Sequence, residues 1–179
     1  VMSAKKIVLT GGPGAGKTTM AEVLDRTFPE KIVFIPEAAS LLFKGGFPRW
    51  DDLEVLKATQ RAIYHTQIEL EAAYEARFPH KVLILDRATL DGAAYWPGSV
   101  DDYFNELQTT QEKEFSRYTK IIYLECAAEG IYEEGKQRNE YRKESWNQAV
   151  ELDKKNKLLW VNHPNIKIAV SYTHLRAHE

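Results

Sequence analysis

The chain has 179 residues, 44% hydrophobic and 28% charged, with a formal net charge of −2. That is the size and balance of one globular domain with a substantial core. The near-neutral charge, with no basic run interleaved with aromatics, excludes an obvious nucleic-acid partner. No apolar stretch exceeds strand length and no secretory signal precedes the first motif, so no membrane span is expected and the cytoplasm is the expected compartment. The single cysteine, Cys126, cannot form an internal disulfide, and the five histidines lack ligand spacing, so no protein-built metal site is expected.

The first element, Lys6–Thr10, is a short apolar run suited to a buried strand. It leads into Gly11, Gly12, Pro13, Gly14, Ala15, Gly16, Lys17, Thr18 and Thr19, which match the phosphate-loop pattern G-x-x-x-x-G-K-[ST]. Glycines let the backbone curl so that several N–H groups converge on one phosphate. Lys17 supplies an ammonium for the β- and γ-phosphates, and the Thr18 hydroxyl is placed to ligate Mg²⁺. An amphipathic helix over Thr18–Phe28 follows, with Met20, Val23, Leu24 and Phe28 on one face. Its N-terminus turns a positive dipole end toward the phosphates. The residues therefore predict binding of ATP with Mg²⁺.

Further strands are predicted at Lys31–Ile35, Val82–Asp86, Ile121–Glu125 and Ile166–Val170. Helices are predicted over Glu54–Phe78 (core positions Leu56, Ile63, Leu70 and Tyr74), over Asp101–Tyr118 (buried side Phe104, Leu107 and Phe115) and over Trp146–Trp160. The alternation predicts an α/β, three-layer fold: a five-stranded, mainly parallel sheet with helices on both faces. Residues 129–145 are polar and hold Gly130 and Gly135, as a mobile lid would. The domain is expected to occupy residues 1–169. Residues 170–179 break the pattern where a final helix should follow, and read as a non-native, sequencing-adapter-derived tail.

In open α/β sheets ligands sit beyond the carboxyl ends of the strands. Glu37, after the second strand, is a candidate base for an acceptor hydroxyl; the plain alternative is a solvated Glu capping the next segment. Asp86 ends the third strand and is a candidate Mg²⁺ ligand, and Arg87 beside it a candidate phosphoryl clamp; the alternative is a salt-bridged pair at a strand end. The lid carries Lys136, Arg138, Arg142 and Lys143, with Arg142 the preferred catalytic arginine. On the long helix, Gln60, Arg61, Tyr64 and Gln67 form either an acceptor-facing strip or an outer polar face.

The phosphate loop, Pro36-Glu37-Ala38-Ala39 and Asp86-Arg87-Ala88-Thr89-Leu90-Asp91-Gly92-Ala93-Ala94-Tyr95-Trp96 together resemble a bacterial ATPase/kinase-like P-loop family. That family is grouped with the kinase domain of NadR, a nicotinamide riboside kinase, and with the animal TRPL-translocation-defect protein. The resemblance runs from about Lys5 to Val170. It implies that Glu37 matches the acceptor-side base of small-molecule kinases, Asp86-Arg87 their DR motif, and Arg142 a lid arginine. The resemblance also implies a final helix after the last strand, often near the adenine, and residues 170–179 are not expected to form it. The leading expectation is a Mg²⁺-dependent kinase acting on a small, nucleoside-like acceptor. Rival readings are a nucleotide-binding regulatory switch and an ATPase acting on a macromolecule. Acceptor identity, ATP-versus-GTP preference and oligomeric state are not encoded in any motif.

Overall fold

A computed structural model describes residues 4–12, 16–125 and 146–169. Pro13, Gly14, Ala15, Cys126, the expected lid with Arg142, and the tail from residue 170 lie outside the described residues.

Five strands form one sheet: β1 (Lys6–Gly11), β2 (Ile32–Ile35), β3 (Val82–Asp86), β4 (Lys120–Leu124) and β5 (Ile166–Ala169). Their order is β2-β3-β1-β4-β5, and every pairing is parallel, so the mainly parallel sheet expected from sequence is wholly so. Helices α1 (Lys17–Thr27), α2 (Ala38–Lys44), α3 (Leu53–Arg77), α4 (Asp91–Tyr95), α5 (Val100–Leu107), α6 (Gln111–Ser116) and α7 (Trp146–Trp160) fill the connections.

Strand residues alternate between two cores, as a two-residue side-chain period requires. Val8, Ile35, Leu83, Leu85, Ile121 and Tyr123 join one face with Tyr64, Tyr103 and Trp160. Leu9, Ile32 and Ile84 join the other, under Met20, Ala21 and Leu24 of α1. Because the central strands are covered on both faces, they read as near-continuous apolar runs; β5, with Lys167 inside it and no fully buried residue, is marked only by Ile166 and Ile168.

The helices hold the surprises. Val23 and Phe28, assigned to the buried face of α1, are exposed. The single helix expected over Asp101–Tyr118 is two. Gln108 takes a left-handed conformation at φ 53° and ends α5, after which the Thr110 hydroxyl accepts from the Lys113 N–H at 3.1 Å and starts α6. Helices α2 and α4, too short to show a period, were not anticipated. On α3 the expected apolar positions Leu56, Ile63, Leu70 and Tyr74 are only half-buried. Its buried residues are instead Thr59, Tyr64, Gln67 and Glu71. Thus Tyr64 and Gln67 do not form an acceptor-facing strip: Tyr64 donates to Glu114 at 2.7 Å, and Gln67 donates to Glu71 at 2.9 Å.

Candidate nucleotide-binding site

The strand order decides which loops meet. β1 pairs with β3, Leu9 opposite Asp86, and β3 pairs with β2, Leu85 opposite Ile35. The segments leaving the ends of β1, β3 and β2 therefore converge at one edge: the start of the phosphate loop, Asp86-Arg87, and Pro36-Glu37.

Gly11 and Gly12 are buried as the chain leaves β1. Gly16 caps α1 at φ 83°, a conformation that a Cβ disfavours. Lys17, Thr18 and Thr19 follow in the first turn of α1, at its positive dipole end. Gly12 is needed for a different reason. A Cβ there would lie 2.7 Å from Asp153 Cβ and 2.6 Å from Asp153 Oδ1, on α7. Because Asp153 Cβ itself is in the way, no rotamer change relieves the clash; the helix must shift. Gly12→Ala is expected to cost about 1–3 kcal/mol by overpacking, read as a lowered midpoint in urea, and an unchanged midpoint would contradict this packing.

A pocket of about 200 Å³ is lined by Lys17, Thr18, Asp86, Leu9, Ala21, Phe34, Ile35 and Pro36. Asp86 Oδ1 is buried with no hydrogen-bond partner among the described residues. A desolvated carboxylate oxygen without a donor is costly unless something else satisfies it. This is not the salt-bridged pair that a mere strand end would give. Asp86 and Thr18 both line this pocket, and a carboxylate and a hydroxyl are hard oxygen donors of the kind that suits Mg²⁺.

Arg87 sits at φ 65°, sparsely populated for a residue with a Cβ. Its N–H donates to the Leu9 carbonyl at 2.9 Å and its Nη1 donates to the Gly11 carbonyl at 3.3 Å. Its Nε lies 3.9 Å from Glu37 Oε1, and its guanidinium is 5.9 Å from the Tyr95 ring. Burial disfavours its charge, but Tyr95, Asp91, Glu37 and Asp86 outweigh that and raise its pKa. Glu37 occupies the N-cap of α2, yet its side chain makes no capping bond; it turns to Arg87 instead. Burial raises the Glu37 pKa, Arg87 and Lys17 oppose the rise, and Asp86 and Asp91 add to it.

Burial lowers Lys17 from an ordinary 10.5 to about 8, with Arg87 pushing the same way and Asp86, Glu37 and Asp91 opposing. A nucleotide's phosphates favour the ammonium, so binding above pH 8 takes up a proton and affinity falls as pH rises through that value. Calorimetry at pH 9 in buffers of different ionisation enthalpy is expected to show this uptake. Lys17→Ala is expected to abolish it together with nucleotide-induced thermal stabilisation, which for the wild type at 100 times Kd is about 2.7 kcal/mol. The unliganded variant should be no less stable than wild type, since a desolvated cation beside Arg87 is gone. Unchanged nucleotide stabilisation in Lys17→Ala would mean that the phosphates bind elsewhere.

Sequence reading missed the support behind the loop. Asn156, buried on α7, donates to Thr10 Oγ1 at 3.1 Å and to the Gly11 carbonyl at 3.4 Å. Trp160, one turn on, donates to Asp91 at 3.2 Å. Asp91 also accepts from the Ala88 N–H at 2.6 Å and from the Thr10 hydroxyl. The only signal was the polar pair Asp153 and Asn156, three residues apart on a helix whose spacing was carried by Val150, Leu152, Leu159 and Trp160.

A wholly parallel sheet, with a Gly-Lys-Thr turn leading from its central strand into a helix, defines a nucleotide-binding protein of the P-loop NTPase fold. A family model described as an AAA domain matches residues 6–177, nearly the whole chain. The chain belongs to that AAA-domain family. No curated protein matches it. None of the described helices is long and apolar enough to cross a membrane.

Proposed function

We propose that this P-loop protein is a small-molecule kinase, transferring the γ-phosphoryl group of ATP to a hydroxyl of a nucleoside-like acceptor. The observation that carries the reading is Glu37. Its carboxylate leaves the helix cap that it occupies, lies 3.9 Å from Arg87, and has a pKa raised mainly by burial. A base at this place can take the proton of an attacking water or of an acceptor hydroxyl; the resemblance to small-molecule kinases, whose acceptor-side base Glu37 matches, favours the hydroxyl.

In this reading Gly11–Thr19 and Lys17 hold the nucleotide's phosphates. Thr18 and Asp86 hold Mg²⁺, which when bound neutralises charge on the phosphate oxygens. Glu37 accepts the acceptor's O–H proton as the acceptor oxygen bonds to the γ-phosphorus and the bond from that phosphorus to the ADP oxygen breaks. Arg87, aimed at Gly11 and Glu37, steadies the transferring group, and Arg142 serves as a lid arginine. The resemblance to the NadR kinase domain supports the acceptor class, and the cytoplasm supplies ATP. Catalysis rests on positioning and charge neutralisation.

The test is MgATP consumption with and without a panel of nucleosides and vitamin ribosides. Turnover should rise with at least one acceptor. If none raises it, the kinase reading fails and a nucleotide-dependent regulatory switch takes its place.

A further inference from the structure

Thr89 stands two residues beyond Arg87, and all three of its polar groups are held by buried partners. Its hydroxyl donates to Glu114 Oε2 at 2.7 Å, its N–H donates to the Tyr118 hydroxyl at 3.2 Å, and its carbonyl accepts from the Tyr103 hydroxyl at 2.6 Å. Tyr103 belongs to α5, Glu114 to α6, and Tyr118 lies just before β4.

Those partners are themselves fixed. Glu114 is fully buried and also accepts from Tyr64 at 2.7 Å, Thr109 at 2.6 Å and Arg117 at 2.7 Å. The Tyr118 hydroxyl is also 2.9 Å from Glu71, which accepts from Lys6 and Gln67 at the same distance. On the other side of the turn, the Ala88 N–H is taken by Asp91. The residue between Asp86 and this doubly tied Ala88-Thr89 segment is Arg87, the one at φ 65°. A side-chain-bearing residue stays in that region only where its surroundings over-determine it. A loop satisfied by solvent would not.

The geometry points to Thr89 as a positioning residue: through Glu114, Tyr103 and Tyr118 it fixes the backbone of the Asp86-Arg87 turn in the left-handed conformation, and so aims the Arg87 guanidinium at the Gly11 carbonyl and Glu37. Thr89 touches no substrate and acts through Arg87. The inference rests on the proposed kinase reading only for the effect on turnover, not for the effect on Arg87 itself.

The primary readout is therefore the order of the Arg87 side chain, from the heteronuclear NOE of its Nε–Hε resonance, assigned by its loss in Arg87→Lys. Thr89→Val keeps the shape and removes the hydroxyl; Thr89→Ser keeps the hydroxyl. Arg87 is expected to become as mobile as an exposed arginine in Thr89→Val and to stay ordered in Thr89→Ser. If Thr89→Val does not fold, Tyr103→Phe removes the donor to the Thr89 carbonyl instead and should loosen Arg87 in the same sense. An Arg87 that stays ordered in a folded Thr89→Val or Tyr103→Phe protein overturns the inference.

The second readout is MgATP turnover with an active acceptor. Thr89→Val should lower it roughly tenfold to a hundredfold, the range expected for a catalytic group displaced by about an ångström. In an Arg87→Ala background the same substitution should have almost no further effect. An equal loss in both backgrounds would make Thr89 merely structural and overturn the inference. Should Arg87 loosen while turnover stays unchanged, Thr89 remains the residue that positions it, and the clamp role of Arg87 in the kinase reading fails instead.

Discussion

Replacing Glu114 with leucine should destabilise the protein by about 3–5 kcal/mol, the cost of removing one partner from a buried ionic cluster. Glu114 has no exposed surface, yet it carries a carboxylate, which is tolerable only because four donors surround it: Tyr64, Thr109, Thr89 and Arg117. Leucine fills the space but leaves three hydroxyls and a guanidinium without their acceptor, and each unmet buried group costs about 1–3 kcal/mol. Against a typical total of about 5–15 kcal/mol the loss is severe. Glutamine should fall between: its NH₂ must face at least one donor that the carboxylate accepted.

The sign of the pH effect follows from the same contacts. Burial alone would raise the Glu114 pKa from 4.5, but the hydrogen bonds from Thr109, Thr89 and Tyr64 and the charge of Arg117 hold it lower. Its contribution is thus complete above about pH 4.5 and is lost as pH falls through the depressed folded value. Urea titrations from pH 7 downward should show wild type losing stability over that interval and Glu114→Leu losing less. A Glu114→Leu midpoint within about 0.5 kcal/mol of wild type at pH 7, the range of an ordinary surface change, would contradict the role assigned to this cluster.

That cluster also marks where sequence reading stops. The phosphate loop is legible because its geometry demands Gly16 at positive φ and a Lys-Thr pair at a helix start, all within nine residues. The central strands are legible because a parallel sheet covered on both faces admits little but apolar side chains. Asp86 and Glu37 stand out because a charge directly after such a run points to the ligand edge.

Glu114, Glu71 and Gln67 give no comparable signal. On a helix they look like solvated surface, and what makes them core residues is a partner far along the chain: Glu114 meets Tyr64 across 50 positions, and Tyr118 meets Glu71 across 47. Asn156 reaches Thr10 across 146 positions. Local periodicity cannot encode such pairings, so it placed Tyr64 and Gln67 on an acceptor-facing or outer strip when they face inward. The break at Gln108 was equally invisible, since left-handed glutamine is uncommon and Thr110 is a strong cap only once the chain has turned.

The central claim is that Glu37 makes this site a two-substrate site. Glutamine at position 37 keeps the size and a hydrogen-bonding oxygen but cannot take a proton. Arg87 also loses its ion-pair partner, while the phosphate loop is untouched. General-base loss typically costs about 10²–10⁴ in rate. The decisive measurement is transfer of ³²P from the γ-position of ATP to an active acceptor, compared between wild type and Glu37→Gln at equal occupancy by MgATP. Transfer is expected to fall by about two to four orders of magnitude with MgATP affinity unchanged. Transfer at the wild-type rate in Glu37→Gln would contradict the account.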